Sequence, residues 1–479
     1  MVWNAYGYPG QVFKCRTASV DHSSGRDVWR RPAELDVAVA VCRRACRIAG
    51  AGRSRSLICR EFTAAGYPFL EFERILRGIR MHGDLSQQAP GINLVDPELY
   101  ANGNPFEQWR WLRANAPVYW HPPTELPGFW ALTRYEDVRT AYRDAATFSS
   151  ARGILLRPAD HGEDPGGGRT LALTDAPRHR QLRGLVDEWF ALRSVRGFEA
   201  DMTEVARRVV DEALESGTCD FVTDVAARVP LYVICRMMGV PSSDWDHLFK
   251  LTSQAFAADD PLTQRFAHLD IMSYFDDLQA AKAAHPGDDL VSILATAEID
   301  GARLKPDDVL LNCDNLLVGG TENTRIAAAG GMLAFLEHQD QWAALAREPE
   351  LLPSAVEEVL RWTSTATHIM RTAVRPIEIH GQQVAAGDRV TFWMPSANRD
   401  ESVFDRPDEF DIRRKPNRHL ALGFGEHFCL GSVLARAELR IIYAELLHRG
   451  IRVEFAGEPA LLASIVVNGP QHLPVRLTA

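Results

Sequence analysis

Cys429 lies in the segment His419 to Gly431, with Gly423 and Gly425 before it and Gly431 after it. Glycines let a backbone turn sharply and approach a neighbour where a side chain would obstruct. The residues that follow, Ser432 to Leu447, repeat their apolar positions as a buried helix does. A thiol at such a loop-to-helix junction meets the positive end of the helix and nearby backbone N–H groups. Both are expected to lower its pKa and favour the thiolate, a soft metal ligand. Taken alone, a lone cysteine in a glycine-rich loop is more often a structural thiol, so the reading depends on what accompanies it.

Three further clusters do. Glu358 and Arg361 stand one helical turn apart between Val356 and Trp362, close enough to pair on one face; an exposed pair of this kind would be worth little, but the apolar flanks point to burial. In Asp175 to Arg183, His179 and Arg183 occupy adjacent turns of one face, and singly each would be a solvated charge. Pro306, Asp307 and Asp308 open a helix that the apolar period carries to about Glu337, a length of roughly 45 Å at 1.5 Å per residue. Its middle holds Gly319, Gly320, Thr321, Glu322, Asn323 and Thr324. Each glycine costs a helix interior about 1 kcal/mol relative to alanine, so the pair needs a reason: room for a ligand, a local bulge, or close packing of another helix.

The cysteine segment resembles the haem-binding signature of the cytochrome P450 superfamily, F-G-x-G-x-H-x-C-x-G. Cys429 falls on the ligand position, with Gly423, Phe424, His427 and Gly431 around it. Leu422 replaces the first phenylalanine, which is expected to alter the ligand environment modestly. The Glu358–Arg361 helix resembles the family's E-x-x-R element, and Arg414 is the implied third partner. Asp175 to Arg183 resembles the helix that holds haem propionates through His179 and Arg183, with Arg371 and His427 completing the set. The glycine pair resembles the motif (A/G)-G-x-(D/E)-T, whose acid and alcohol organise water and deliver protons for oxygen activation. Glu322 fits the acid. Asn323 takes the threonine position, and an amide can orient water or donate a hydrogen bond but cannot relay a proton, which leaves Thr321 or Thr324 to substitute.

The resemblance runs from Met81 to the end. It implies a mainly α fold, a triangular helical prism around one buried haem b per chain, with a minor β-sheet region. The implied activity is that of a monooxygenase using O2, with hydroxylation as the default. Asn323 keeps open a non-hydroxylating oxidation such as coupling or desaturation, and a haem-binding sensor without turnover is a second alternative. Ferredoxin and ferredoxin reductase are the expected electron donors, docking on the cysteine side near Arg178, Arg180, Arg436 and Arg440. Substrate contacts are expected from Ile154, Leu155 and Leu156, from Leu316, Leu317 and Gly320, from Ala366, Thr367, His368 and Ile369, and from Val466, Val467 and Asn468. Their mainly apolar character suggests a lipophilic or amphipathic metabolite of secondary metabolism, such as a terpenoid, polyketide or peptide-derived compound.

The elements that must carry these groups are mostly helical. Apolar residues recur at helical spacing in Phe106 to Asn115, Tyr135 to Asp144, His179 to Phe190, Val195 to Ser216 and Pro353 to Trp362. Strand signals are confined to Val118 to Trp120 with Trp130 to Leu132, Ile377 to Ile379 with Gln383 to Val384, and Val475 to Leu477. The chain has 479 residues, 46% hydrophobic and 24% charged, as befits a globular protein, and no apolar run long enough to span a bilayer. A net charge of -10 argues against a nucleic-acid binder, the eight cysteines lack paired spacing, as fits a reducing compartment, and the lack of a span points to the cytoplasm; a monomer is expected. Residues 1–80 stand apart, with 14 Lys+Arg against 7 Asp+Glu, and read as a basic extension, disordered or not native, preceding a catalytic domain at 81–479.

Overall fold

The computed structural model of the chain describes residues 91–158, 164–257 and 260–479; the basic segment 1–80 and the first residues of the expected catalytic domain, 81–90, lie outside the described residues. The principal helices are α1 (Phe106–Asn115), α2 (Tyr135–Arg143), α3 (Arg178–Val186), α4 (Leu192–Ser216), α5 (Arg228–Met237), α6 (Trp245–Ala257), α7 (Pro261–Ala284), α8 (Pro306–Glu337), α9 (Leu352–Thr363) and α10 (Ser432–His448). Among the described residues no helix is long and apolar enough to cross a membrane. The helix expected over His179 to Phe190 is two pieces, because the backbone tightens into a 3-10 turn at Asp187–Phe190.

A five-stranded sheet flanks the helices, built from β1 (Val118–His121), β2 (Phe129–Leu132), β3 (Phe148–Ser149), β4 (His368–Ala373) and β5 (Arg389–Trp393) in the order β1-β2-β5-β4-β3. β1 and β2 pair antiparallel with Val118 opposite Leu132, β5 runs parallel to β2, and β4 pairs antiparallel with β5, His368 opposite Trp393. Val475 to Leu477 joins a small sheet with Thr218–Asp220 and Arg452–Phe455.

α8 runs through the core without a bulge and is buried along most of its length. Its glycines answer different needs. A Cβ on Gly320 would stand 3.2 Å from the Ile234 side chain, so this glycine lets α5 pack close, whereas a Cβ on Gly319 would meet nothing within 4 Å and faces open space. Farther along, Gly331 makes room for Tyr443 of α10, whose hydroxyl donates to the Ala328 carbonyl at 2.9 Å. The helix that follows the cysteine loop is thereby locked against α8, and the loop end and the middle of α8 bound one cavity of about 370 Å³.

Candidate active site

Cys429 lines this cavity from the loop side. The loop is shaped by its first two glycines: Gly423 and Gly425 have φ of 70° and 73°, and a Cβ on Gly425 would lie 2.7 Å from the Tyr142 carbonyl oxygen. The Cys429 N–H donates to Leu422 O and Gly423 N–H to Leu420 O, each at 2.9 Å. Burial pushes the Cys429 thiol pKa up, while the Gly431 N–H, Arg183 and Arg436 pull it down. The expectation that the loop by itself lowers this pKa is therefore corrected, because desolvation outweighs the helix end. A bound metal ion deprotonates such a thiol outright.

What fixes the loop is a buried charge network. The carboxylate of Glu358 accepts from Arg361 Nε and Nη2 at 2.8 Å each, from Arg414 Nε at 3.1 Å, from the Asp411 N–H at 2.9 Å and from Asn417 Nδ2 at 3.0 Å. Glu358 and Arg361 are fully buried, so the pair stands only because every partner is in place. Arg361 also donates to the carbonyls of Asn398, Pro407 and Glu409, and the Asn398 side chain accepts from the Leu420 N–H at 2.7 Å. The E-x-x-R helix, the segment of Arg414 and the cysteine loop are thus one hydrogen-bonded unit.

On another wall, buried donors converge. His179 is buried and neither ring nitrogen has a hydrogen-bond partner among the described residues; its ring lies 4.1 Å from that of His427, centroid to centroid. Arg371 is buried, and among the described residues its guanidinium makes one hydrogen bond, to the Met370 carbonyl at 2.9 Å. Arg183 donates to the Phe428 carbonyl at 2.8 Å and to Asp187 at 3.0 Å. Burial lowers the His427 pKa to about 3, with Arg371, His179 and Arg183 adding to the fall. A buried cluster of donors and cations at the cavity edge suits a ligand with carboxylates, and with one thiol at the cavity floor it fits haem b.

Across from Cys429, α8 presents Asn323 and Thr324, together with Leu316 and Gly320. Thr321 and Glu322, also expected at the oxygen-activating site, do not face the cavity. Lining Leu316, Gly320, Asn323, Thr324 and Ala327 recur at helical spacing on one face, and positions 321 and 322 fall on the other: Thr321 donates to the Leu317 carbonyl at 2.9 Å, and Glu322 is paired with Arg325 at 2.6 Å. Leu317 is in the core for the same reason, next to lining Leu316. Thr367 alternates away from the cavity between lining Ala366 and His368, and Leu156 and Asn468 are likewise buried outside the lining. Phe424 lies on the outer side of the loop beneath Arg139 and Arg143, 5.4 and 4.9 Å from its ring, and does not line the cavity. Ile154, Leu155, Ile369 and Val467 are on the wall as expected.

Sequence reasoning missed Glu438. It lies on α10, is 1% exposed, lines the cavity, and neither carboxylate oxygen has a well-formed hydrogen bond among the described residues. Burial raises its pKa well above the usual carboxylate range, the neighbouring Thr324 hydroxyl opposing slightly. The available signal was its place on the apolar face of α10, four residues after Leu434 and four before Ile442. On the outer face, Arg180, Arg436 and Arg440 are each paired with a glutamate (Glu426, Glu357 and Glu199), so the positive surface expected from them is largely neutralised.

The fold and the cavity are those of a haem-binding oxygenase, and comparison with known proteins agrees. The family described as Cytochrome P450 matches residues 271–450. The chain is 38% identical over 392 residues to Cytochrome P450 NovI of Streptomyces niveus, covering 81% of this chain and 96% of that protein. It is 36% identical over 398 residues to the steroid C26-monooxygenase of Mycolicibacterium smegmatis, covering 81% and 96% respectively. Among solved structures, P450 OxyD, involved in the biosynthesis of vancomycin-type antibiotics, superposes with a TM-score of 0.76 at 38% identity, over 81% of this chain and 100% of that one. The chain belongs to the cytochrome P450 family. It is accordingly a monooxygenase that binds haem b and acts on a small molecule with O2 and redox partners.

Proposed function

We propose that the chain, through a catalytic unit at 81–479, hydroxylates a small lipophilic or amphipathic metabolite, and that Cys429 would hold the iron of its haem. The observation that carries the reading is the facing of one thiol by a mainly apolar wall, with the unpartnered His179 and the buried guanidinium of Arg371 at the edge. When bound, haem supplies the activation of dioxygen that no side chain can perform. His179, Arg183, Arg371 and His427 would hold its carboxylates. Glu438, kept protonated by burial, stores a proton, and Thr324 beside it passes that proton toward the cavity, the task that Asn323 cannot perform. Ile154, Leu155, Leu316, Gly320, Ile369 and Val467 exclude water and hold the apolar part of the substrate.

Electrons come, in this reading, from a ferredoxin and its reductase. Phe428, 38% exposed in the ligand loop, and Arg143 over the Phe424 ring supply an apolar and basic landing for an acidic donor. The role of OxyD in antibiotic biosynthesis supports a place in secondary metabolism. The test is a screen of lipophilic metabolites for a substrate-induced spin shift, followed by turnover of the hits with ferredoxin, reductase and labelled O2. A product carrying one labelled oxygen is expected. A coupled or desaturated product without added oxygen would replace hydroxylation by the non-hydroxylating reading, and spin shifts without any product would replace it by a sensor.

A further inference from the structure

Asn323 stands on the cavity wall where the resemblance calls for a hydroxyl, and its amide is not alone. Thr365, in the segment between α9 and β4, donates its hydroxyl proton to Asn323 Oδ1 at 3.1 Å across the cavity edge. We propose that Thr365 is a positioning residue that turns the Asn323 amide so that its Nδ2 donates into the cavity. This rests on the reading of the cavity as the haem and oxygen site.

An amide has one accepting end and one donating end, and whatever binds one end decides which faces the ligand. The Thr365 hydroxyl makes no other hydrogen bond among the described residues. If the amide were reversed, Thr365 would accept from Nδ2 and its own proton would be left without an acceptor, beside Ala366 and near Val467. The observed orientation satisfies that proton and leaves Nδ2 as the free end. The backbone that carries Thr365 is also held from both sides. Ser364 before it is fully buried in the left-handed region at φ 41°, and its hydroxyl donates to the Arg361 carbonyl and accepts from Asn398 Nδ2, both at 2.8 Å. The Thr365 carbonyl accepts from the Asn468 N–H at 2.8 Å. The hydroxyl that aims the amide is therefore anchored to the same buried network that holds the cysteine loop. Its effect is a fixed donor that binds but never changes protonation, which separates holding the oxygen from supplying its proton.

The infrared C–O stretch of the ferrous carbon monoxide complex tests this in the haem-loaded full chain, because a donor beside the ligand oxygen lowers that frequency. Asn323→Ala is expected to raise it. Thr365→Val, with Thr365→Ala as the second variant should valine misfold, is expected to raise it by a similar amount, and Thr365→Ser to leave it at the wild-type position. The Asn323→Ala/Thr365→Val double variant should shift no farther than Asn323→Ala alone. An unshifted Thr365→Val and Thr365→Ala beside a shifted Asn323→Ala would overturn the proposal, since the amide would be held without Thr365. An unshifted Asn323→Ala would overturn it as well, since no amide donor would reach the ligand. A thiolate-type visible spectrum in every variant keeps the underlying reading intact through either failure, and its absence in the wild type would instead remove that reading.

Discussion

Two glutamates in this protein are almost completely buried and could hardly be treated more differently. Glu358, 0% exposed, accepts from two arginines, an asparagine and a backbone N–H, while Glu438, 1% exposed on a helix that packs against the one carrying Glu358, has no well-formed hydrogen bond among the described residues. A buried polar group without a partner costs folding free energy. A protein that saturates one carboxylate so fully is able to saturate another, so the unsatisfied one sits where something other than folding needs it. The contrast extends to the two sides of the cavity. The charge network behind the cysteine loop is saturated at Glu358 and Arg361, whereas His179, Arg371, Glu438 and the Asn323 amide face the cavity.

If that contrast is right, breaking the closed side costs stability and breaking the open side costs binding or catalysis. The largest effect is expected from Glu358→Ala, which leaves Arg361 buried without its counter-charge; a loss of about 3–5 kcal/mol should appear as a lower urea midpoint and poor haem loading. Arg371→Ala should leave the urea midpoint of the haem-free protein unchanged but hasten haem transfer to an apo-globin acceptor by about ten- to a hundredfold, the worth of a hydrogen bond to a charged group. Glu438→Gln should reverse the usual sign for a buried polar substitution. Its thermal midpoint should hold or rise, while product formed per electron pair falls about tenfold and peroxide takes up the difference. A stability loss as large as that of Glu358→Ala would erase the distinction between the two glutamates.

The smallest effect belongs to the edge of the network. Burial would raise the Glu357 pKa, but hydrogen bonds from Arg436 and His419 override it and bring it down to about 2. A depressed carboxylate contributes its stability above the unfolded value of about 4.3 and loses it as pH falls through the folded value. The urea-midpoint difference between wild type and Glu357→Gln should therefore be constant near neutrality and vanish between about pH 4 and pH 2. It should stay within about 1 kcal/mol, because solvent reaches this pair.

The sequence was most legible where residue type and short spacing coincide. Cys429 among its glycines, the Glu358–Arg361 turn and the His179–Arg183 turn can be found without coordinates because helix geometry alone brings each set together. The long helix α8 was legible from its proline and acids at the start and its apolar period. What periodicity could not supply was phase: it marked the neighbourhood of Leu316 and Leu317 but not which of the two faces the cavity, and it did not separate Gly319, which leaves open space, from Gly320, which admits Ile234. Pairings across long stretches of chain were illegible for another reason. Nothing local in Trp130 announces that it will lie beside Val390 in a parallel pair, or that Thr365 will reach Asn323. Glu438 was overlooked because a charge on a helix ordinarily points to water, and only its register with Leu434 and Ile442 says otherwise.

The position of the visible absorption band of the ferrous carbon monoxide complex, compared between wild type and Cys429→His, reports the iron ligand directly. The long-wavelength band of thiolate ligation is expected in the wild type and the shorter-wavelength band of imidazole ligation in the variant. An unmoved long-wavelength band in fully haem-loaded Cys429→His would show that another sulfur holds the iron.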